Sequence, residues 1–493
     1  MTRLTATDAF FAYADSASAP MNMGSVLMLS LPADYKGDFF ENFRSFIAAR
    51  IQYLPKLKKC LAVDPVGLPH WLDCEDFDLD YHIRRSSVPS QDDKTLFRKI
   101  GRLQHTPFDM DKPLFMFYVI EGLRDGRIAV VQKFHHAFAD GKTAVRIMDL
   151  FSDEGLERAS FEQEIEDTVS PGRLARGASG YVEELRRTFT SLPGIAGAAR
   201  RMLGAGGKAM LDRIRSRPRT IFSEPLSDRR LFAFRQWPLE EVNRVRRAAG
   251  LTFNDMGLAL LGGALKRYLE ELEALPAESL VCNVPVALAV KGSGGGNAVL
   301  AIWVPLGTDI EDRVQRIQFM KQEVDESKQF LSGVLEGASA GSGIQLPAYL
   351  VRAAALQSST EWITRRMPPP GNIALSNVPA PSQTIHVAGA VVDSLYGMPM
   401  VLQGQAVSTT FSSYDDKVVC SMLCCEHALP DPERIYDYMD DELKALAAIY
   451  LKPVKKKVAH KVSGKVPHRA AKKAPAKVRK TADTKRKTVR NKQ

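Results

Sequence analysis

At 493 residues, 45% hydrophobic and 25% charged, the chain has the composition of a folded protein and exceeds the size at which one hydrophobic core stops growing, so two domains are expected. Its net charge of +10 resides at one end: Lys452 to Gln493 holds seventeen Lys/Arg against one acid, Asp483, a net of +16 that leaves −6 for residues 1–451. Six cysteines without CxxC spacing exclude a disulfide-rich scaffold, no apolar run approaches the roughly 18 residues that span a bilayer, and the amino terminus lacks the pattern of a secretory signal. Reduced thiols, no structural metal, a cytoplasmic location and only peripheral membrane contact are therefore expected.

In chain order, 25–31, 116–120 and 127–134 read as strands, and Lys142 to Phe151 has Ala144, Val145, Met148 and Phe151 spaced for one helical face. The segment His135-His136-Ala137-Phe138-Ala139-Asp140-Gly141 thus falls on a strand-to-helix turn. From 173 to 225 a Gly-, Ala-, Arg- and Leu-rich stretch with helical patches reads as a basic linker, which could also lie on a membrane surface. A second αβ region from 226 to 451 opens a helix near Thr252-Phe253-Asn254-Asp255, followed by a strand at 280–286. The glycine run at 292–296 lacks the Lys-Ser/Thr ending of a phosphate-binding loop. The tail, 452–493, has no aromatic residue and is expected to be a disordered polycation.

The chemistry concentrates in 135–141. A neutral imidazole takes a proton near neutral pH, which makes histidine the usual general base. An alcohol attacking a thioester needs that help, because its hydroxyl is a weak acid while the carbonyl is already activated. A His-His pair alone could simply end a strand. With Asp140 and Gly141 at their fixed offsets, the pattern should arise by chance in about one chain in a thousand of this length.

HHAFADG resembles the HHxxxDG signature of the acyltransferase superfamily that includes chloramphenicol acetyltransferase, plant alcohol acyltransferases and peptide-synthetase condensation domains. The chain from about Leu4 to Leu451 is similar to the bacterial wax ester synthase/diacylglycerol acyltransferase family in particular. Thr5 to Phe11 with Met21-Asn22-Met23-Gly24 matches its opening. Pro113-Leu114-Phe115 stands where that family has Pro-Leu-Trp, and Asn254-Asp255 stands at its Asn-Asp element. Val284-Pro285-Val286 with Gly296-Asn297, and Ser376-Asn377-Val378-Pro379-Ala380-Pro381, match two further loops. Phe115 in place of Trp, Ala380 in place of Gly, and the absence of a basic residue in Ala287-Leu288-Ala289 bear on pocket shape and substrate.

The resemblance implies an α+β fold of two chloramphenicol acetyltransferase-like sandwich domains, 1–172 and 226–451, with a substrate tunnel between them. It makes His136 the general base, His135 its support, Asp140 a structural residue orienting the motif and Gly141 its turn. Asn254, Asp255, Pro113, Leu114, Phe115, Ser376 and Asn377 would bind substrate or line the site, with Asn254 near the reaction centre, although Asn254 and Asp255 also suit helix capping. Ser376 and Asn377 suit turns, and Pro113, Leu114 and Phe115 suit packing. Implied substrates are long-chain acyl-CoA and a fatty alcohol or diacylglycerol, with no cofactor. A carrier-bound or amine acceptor is one alternative. A non-catalytic lipid or nucleic-acid binder is the other, since Lys455-Lys456-Lys457, Lys472-Lys473 and Lys485-Arg486-Lys487 suit an anionic membrane, a lipid-droplet surface or a phosphate backbone.

Overall fold

The apolar segments expected as strands pair with one another. In the computed structural model, residues 2–64, 67–138, 147–155, 217–288, 298–338, 348–378 and 380–451 are described; Asp140, Gly141, residues 173–216 of the linker, the 292–297 turn and the 452–493 tail lie outside the described residues. The strands are β1 (Thr2–Arg3), β2 (Asn22–Ser30), β3 (Lys59–Val63), β4 (Pro69–Asp73), β5 (Ile83–Ser87), β6 (Phe115–Glu121), β7 (Ile128–His135), β8 (Arg230–Pro238), β9 (Val281–Leu288), β10 (Ala298–Pro305), β11 (Ile373–Ser376), β12 (His386–Val387), β13 (Ala390–Met398), β14 (Val407–Tyr414) and β15 (Lys417–Cys425). The helices are α1 (Ala6–Ala14), α2 (Phe39–Arg50), α3 (Leu79–His82), α4 (Asp93–His105), α5 (Leu239–Ala248), α6 (Phe253–Glu271), α7 (Arg313–Ala338), α8 (Ala348–Ser359), α9 (Glu361–Thr364) and α10 (Pro432–Tyr450).

One six-stranded sheet has the order β12-β13-β2-β7-β6-β5 and a second has β10-β9-β11-β14-β15-β8; β1, β4 and β3 form a small third sheet. In the first, β2 and β7 are antiparallel with Asn22 opposite His135 and Leu29 opposite Ile128. Every residue of β7 is buried, as a near-continuous apolar strand requires when both sheet faces are covered. The approach of β2 to β7 is so close that a Cβ at Gly24 would stand 1.8 Å from the Gln132 carbonyl oxygen, so only glycine fits there.

The sheets do not follow chain order. β12 and β13, from the second half, complete the first sheet, with Met398 opposite Gly24 and Val391 opposite Ser30. Conversely, α4 from the first half packs on β8 of the second sheet, where Gly101 leaves room for the Arg230 carbonyl oxygen, 2.2 Å from where a Cβ would be. The two halves are thereby interlocked in one unit reaching Lys452. Helix α6 is buried through most of its length, the pattern of a core helix. Gly263 lets α10 approach until a Cβ would meet the Glu442 carboxyl carbon at 2.5 Å. Among the described residues no single helix is long and apolar enough to cross a membrane; α5 and α6 reach that length and apolarity only together, bent by 92°.

One expectation fails. Cys60 and Cys74 form a disulfide, because the β3–β4 hairpin, with Cys60 opposite Leu72 and Lys59 opposite Asp73, brings their Cα atoms to 5.4 Å. Cys282, Cys420, Cys424 and Cys425 are free and buried. Closing a loop of this length is worth about 3 kcal/mol. Cys74→Ser should therefore lower stability by about 2–4 kcal/mol, read as a lower denaturant midpoint without reductant, and a thiol reductant should move the wild-type midpoint to the same place.

Candidate active site

Strand β7 delivers the two histidines to its end, and the main chain holds them in different ways. The His135 N–H donates to the Leu114 carbonyl at 3.0 Å, and the His136 N–H donates to the Met21 carbonyl at 2.7 Å. The His135 ring is fully buried, and its Nδ1 accepts from the Ala137 N–H at 3.1 Å. A nitrogen that accepts carries no proton, so neutral His135 holds its proton on Nε2. That nitrogen faces Asp15 Oδ1 at 3.4 Å without completing a hydrogen bond. His136 is half-buried, and its ring stacks on Phe11 with centroids 3.7 Å apart and planes at 23°.

Helix α1 supplies that face. Thr5 caps its start by accepting from the Asp8 N–H. Asp15 ends it by donating its N–H to the Phe11 carbonyl, and the Asp15 carboxylate accepts from the Met21 N–H at 2.7 Å. Beneath, Asn22 is fully buried and donates through Nδ2 to the carbonyls of Gln104 (2.6 Å) and Thr106 (2.9 Å).

Lys133 shares a strand face with His135, two residues on. Its side chain is buried, donates through Nζ to the Thr106 carbonyl at 2.5 Å and lies 4.4 Å above the Phe108 ring. Burial pushes its ammonium from 10.5 down to about 7, with the Asp15 carboxylate pulling the other way. Between about pH 7 and 10.5 the unfolded chain therefore binds a proton that the folded chain has released, so this group makes stability rise with pH across that window and stay flat below it. Lys133→Met should raise the thermal midpoint at pH 6.5 and lose that advantage by pH 10.5; an equal shift at both values would contradict a charged, buried amine.

Pro113-Leu114-Phe115 supports this end of the strand. All three are buried; the Leu114 carbonyl holds His135, while Phe115 stacks on His82 at 4.1 Å and accepts at its carbonyl from His82 Nδ1 at 2.8 Å. Burial pushes the His82 imidazole below its ordinary value, consistent with a neutral packing residue.

The remaining candidates lie at the start of α6 and the end of β11, two elements that each touch β14. Thr252 is the N-cap of α6 and forms a capping box with Asp255: Thr252 Oγ1 accepts from the Asp255 N–H, and Asp255 Oδ2 accepts from the Thr252 N–H at 2.9 Å. Asp255 thus starts the helix. Asn254 makes no cap, and its Oδ1 is buried without a hydrogen-bond partner among the described residues. Phe253, beside it, packs on Phe411 at 4.9 Å. Ser376 pairs with Thr410, the residue before Phe411, while Asn377 is exposed. Thr410 Oγ1 donates to the Gly397 carbonyl of β13 at 3.5 Å, and the next residue, Met398, lies opposite Gly24, itself opposite Lys133. Phe253, Ser376 and Lys133 are thus linked through β14, β13 and β2.

A cleft of about 750 Å³ lined by Met28, Phe97, Phe234 and Tyr396 opens elsewhere. Met28 pairs with Ala129, six residues before His135, or about 20 Å along the strand. Among the described residues no group of His, Cys, Asp and Glu is arranged to hold a metal ion. Sequence reasoning missed Phe11, Asp15, Asn22 and Lys133 as site residues. A lysine inside an apolar strand, in phase with His135, was the available cue.

Residues 4–257 match the wax ester synthase/diacylglycerol acyltransferase catalytic domain, and 295–447 match the WS/DGAT C-terminal domain. A putative diacylglycerol O-acyltransferase of Mycobacterium tuberculosis H37Rv is 30% identical over 456 residues, which are 89% of this chain and 98% of the relative. A second, from Mycobacterium bovis, is 29% identical over 454 residues, covering 89% and 97%. Among solved structures, the wax ester synthase/diacylglycerol acyltransferase of Marinobacter aquaeolei VT8 superposes with a TM-score of 0.65 at 23% identity over 91% of this chain and 100% of that one. The first condensation domain of the calcium-dependent antibiotic synthetase does so at 0.52 and 14%, over 92% and 97%. The α+β fold is shared with these structures, and the chain belongs to the wax ester synthase/diacylglycerol acyltransferase family of O-acyltransferases.

Proposed function

We propose that the chain transfers a long-chain acyl group from acyl-CoA to the hydroxyl of diacylglycerol or a fatty alcohol, giving triacylglycerol or a wax ester, with His136 as the base. The observation that carries this reading is the difference in surroundings at the end of β7: His135 is buried with Nδ1 engaged by the main chain, whereas His136 is half-buried, with its N–H bonded to Met21 and its ring stacked on Phe11. His136 takes the alcohol proton as the oxygen attacks the thioester carbonyl. The tetrahedral oxyanion collapses to ester and CoA thiolate, which recovers the proton from the imidazolium. Asn254, with an amide at the opening of α6, suits the oxyanion as a neutral donor. Acyl-CoA is a substrate here, and no cofactor enters the scheme.

The matched mycobacterial relatives are named for diacylglycerol, which makes it the first acceptor to test. The net +16 of residues 452–493 suits attachment to an anionic inner-membrane or lipid-droplet surface from the cytoplasm. Purified protein given palmitoyl-CoA should release CoA only when dioleoylglycerol or hexadecanol is also present. Thioester loss that ignores the acceptor, or none with either, would refute the reading.

A further inference from the structure

We infer that Asp15 is a positioning residue for the two-histidine turn, fixing the main chain on both sides of His136 through two separate contacts of one carboxylate. The inference rests on His136 being the base.

The first contact runs through Met21. Asp15 Oδ1 accepts from the Met21 N–H at 2.7 Å, and the Met21 carbonyl accepts from the His136 N–H at 2.7 Å. The peptide before His136 is thus held at second hand by the carboxylate. The second contact runs through His135. The same Oδ1 faces His135 Nε2 at 3.4 Å, and a negative charge there favours the tautomer with hydrogen on Nε2. That tautomer leaves Nδ1 free to accept from the Ala137 N–H at 3.1 Å, which holds the peptide after His136. With the proton on Nδ1 instead, that bond becomes a clash of two donors.

Two further features show that the carboxylate is built in. Asp15 terminates α1 by donating its N–H to the Phe11 carbonyl, so the helix end that carries the carboxylate also carries the ring stacked on His136. The carboxylate also stabilises the ammonium of the buried Lys133. Each of these contacts is to a group of the protein itself, so Asp15 acts on turnover through the geometry of His136.

The test uses the full chain with palmitoyl-CoA and dioleoylglycerol, together with 15N-histidine spectra of the imidazole nitrogens. Wild-type His135 should show a bare Nδ1 and a protonated Nε2. Asp15→Ala should lose about 10²-fold in kcat, the usual cost of misplacing a catalytic group by about an ångström, with the KM for palmitoyl-CoA unchanged and the His135 tautomers mixed. Asp15→Asn, which keeps an acceptor for Met21 but loses the charge facing His135, should fall between Asp15→Ala and wild type. Wild-type His135 protonated on Nδ1 would overturn the inference, and that spectrum needs no variant to fold. So would wild-type kcat in Asp15→Ala alongside an inactive His136→Ala. An active His136→Ala overturns the base assignment, and this inference with it.

Discussion

Replacing His136 by alanine should lower turnover by about 10²–10⁴-fold, the usual contribution of a positioned general base, with palmitoyl-CoA and dioleoylglycerol at saturation and CoA release as the readout. The protein should stay folded, because the half-buried ring leaves a surface-connected gap rather than a sealed cavity, and the backbone N–H that binds the Met21 carbonyl survives the substitution. His135→Ala should fall less in kcat and more in stability. It removes a fully buried ring and strands the Ala137 N–H that Nδ1 accepts. Equal losses of turnover in the two variants would mean that the motif works as a unit and that the separate roles assigned here are wrong. Undiminished turnover in His136→Ala would remove the base altogether.

The largest stability effect is expected away from the site, at Glu442. Its carboxylate accepts from Arg316 at 2.7 Å and from Arg313 at 2.9 Å, and the Arg316 and Glu442 side chains are each only 5% exposed. Breaking a buried pair by removing one partner leaves an uncompensated charge in a low-dielectric setting and costs about 3–5 kcal/mol. Glu442→Leu should therefore shift the denaturant midpoint far more than the solvent-facing partner change Arg313→Met. The double variant Arg316→Met/Glu442→Leu should regain most of the loss, since charge and desolvation cost then leave together. A loss below about 1 kcal/mol in Glu442→Leu would place the pair with ordinary surface bridges.

Elements with a strong local pattern were legible in the sequence. The apolar runs at 25–31, 116–120 and 127–134 became β2, β6 and β7, and the helix opening at Thr252 is capped by that residue. Their signal is carried within a few residues by hydrophobic period and cap chemistry. Pairings between distant segments were not legible. Nothing near Val391 announces that it will lie opposite Ser30, and the Cys60–Cys74 bridge depends on the antiparallel pairing of β3 with β4, which brings together two cysteines 14 positions apart. The site divides in the same way. His135 and His136 were placed correctly at a strand end because strand and turn are adjacent in sequence. Asp15 reaches His135 across 120 positions, so only the fold brings it there.

The exchange of strands between halves bears on how the chain is made. Val391 and Ser30 stand 361 positions apart, so at roughly 5–20 residues per second the ribosome needs roughly 20–70 s after β2 emerges to deliver its second neighbour. β7 arrives early and covers one edge of β2, but the other edge, bearing the apolar run Val26 to Leu29, stays open until β13 is synthesised. An unpaired apolar edge invites pairing with other chains. The nascent first half is thus a natural client for holding chaperones, and a fragment ending before Ala390 lacks the strand that closes its sheet.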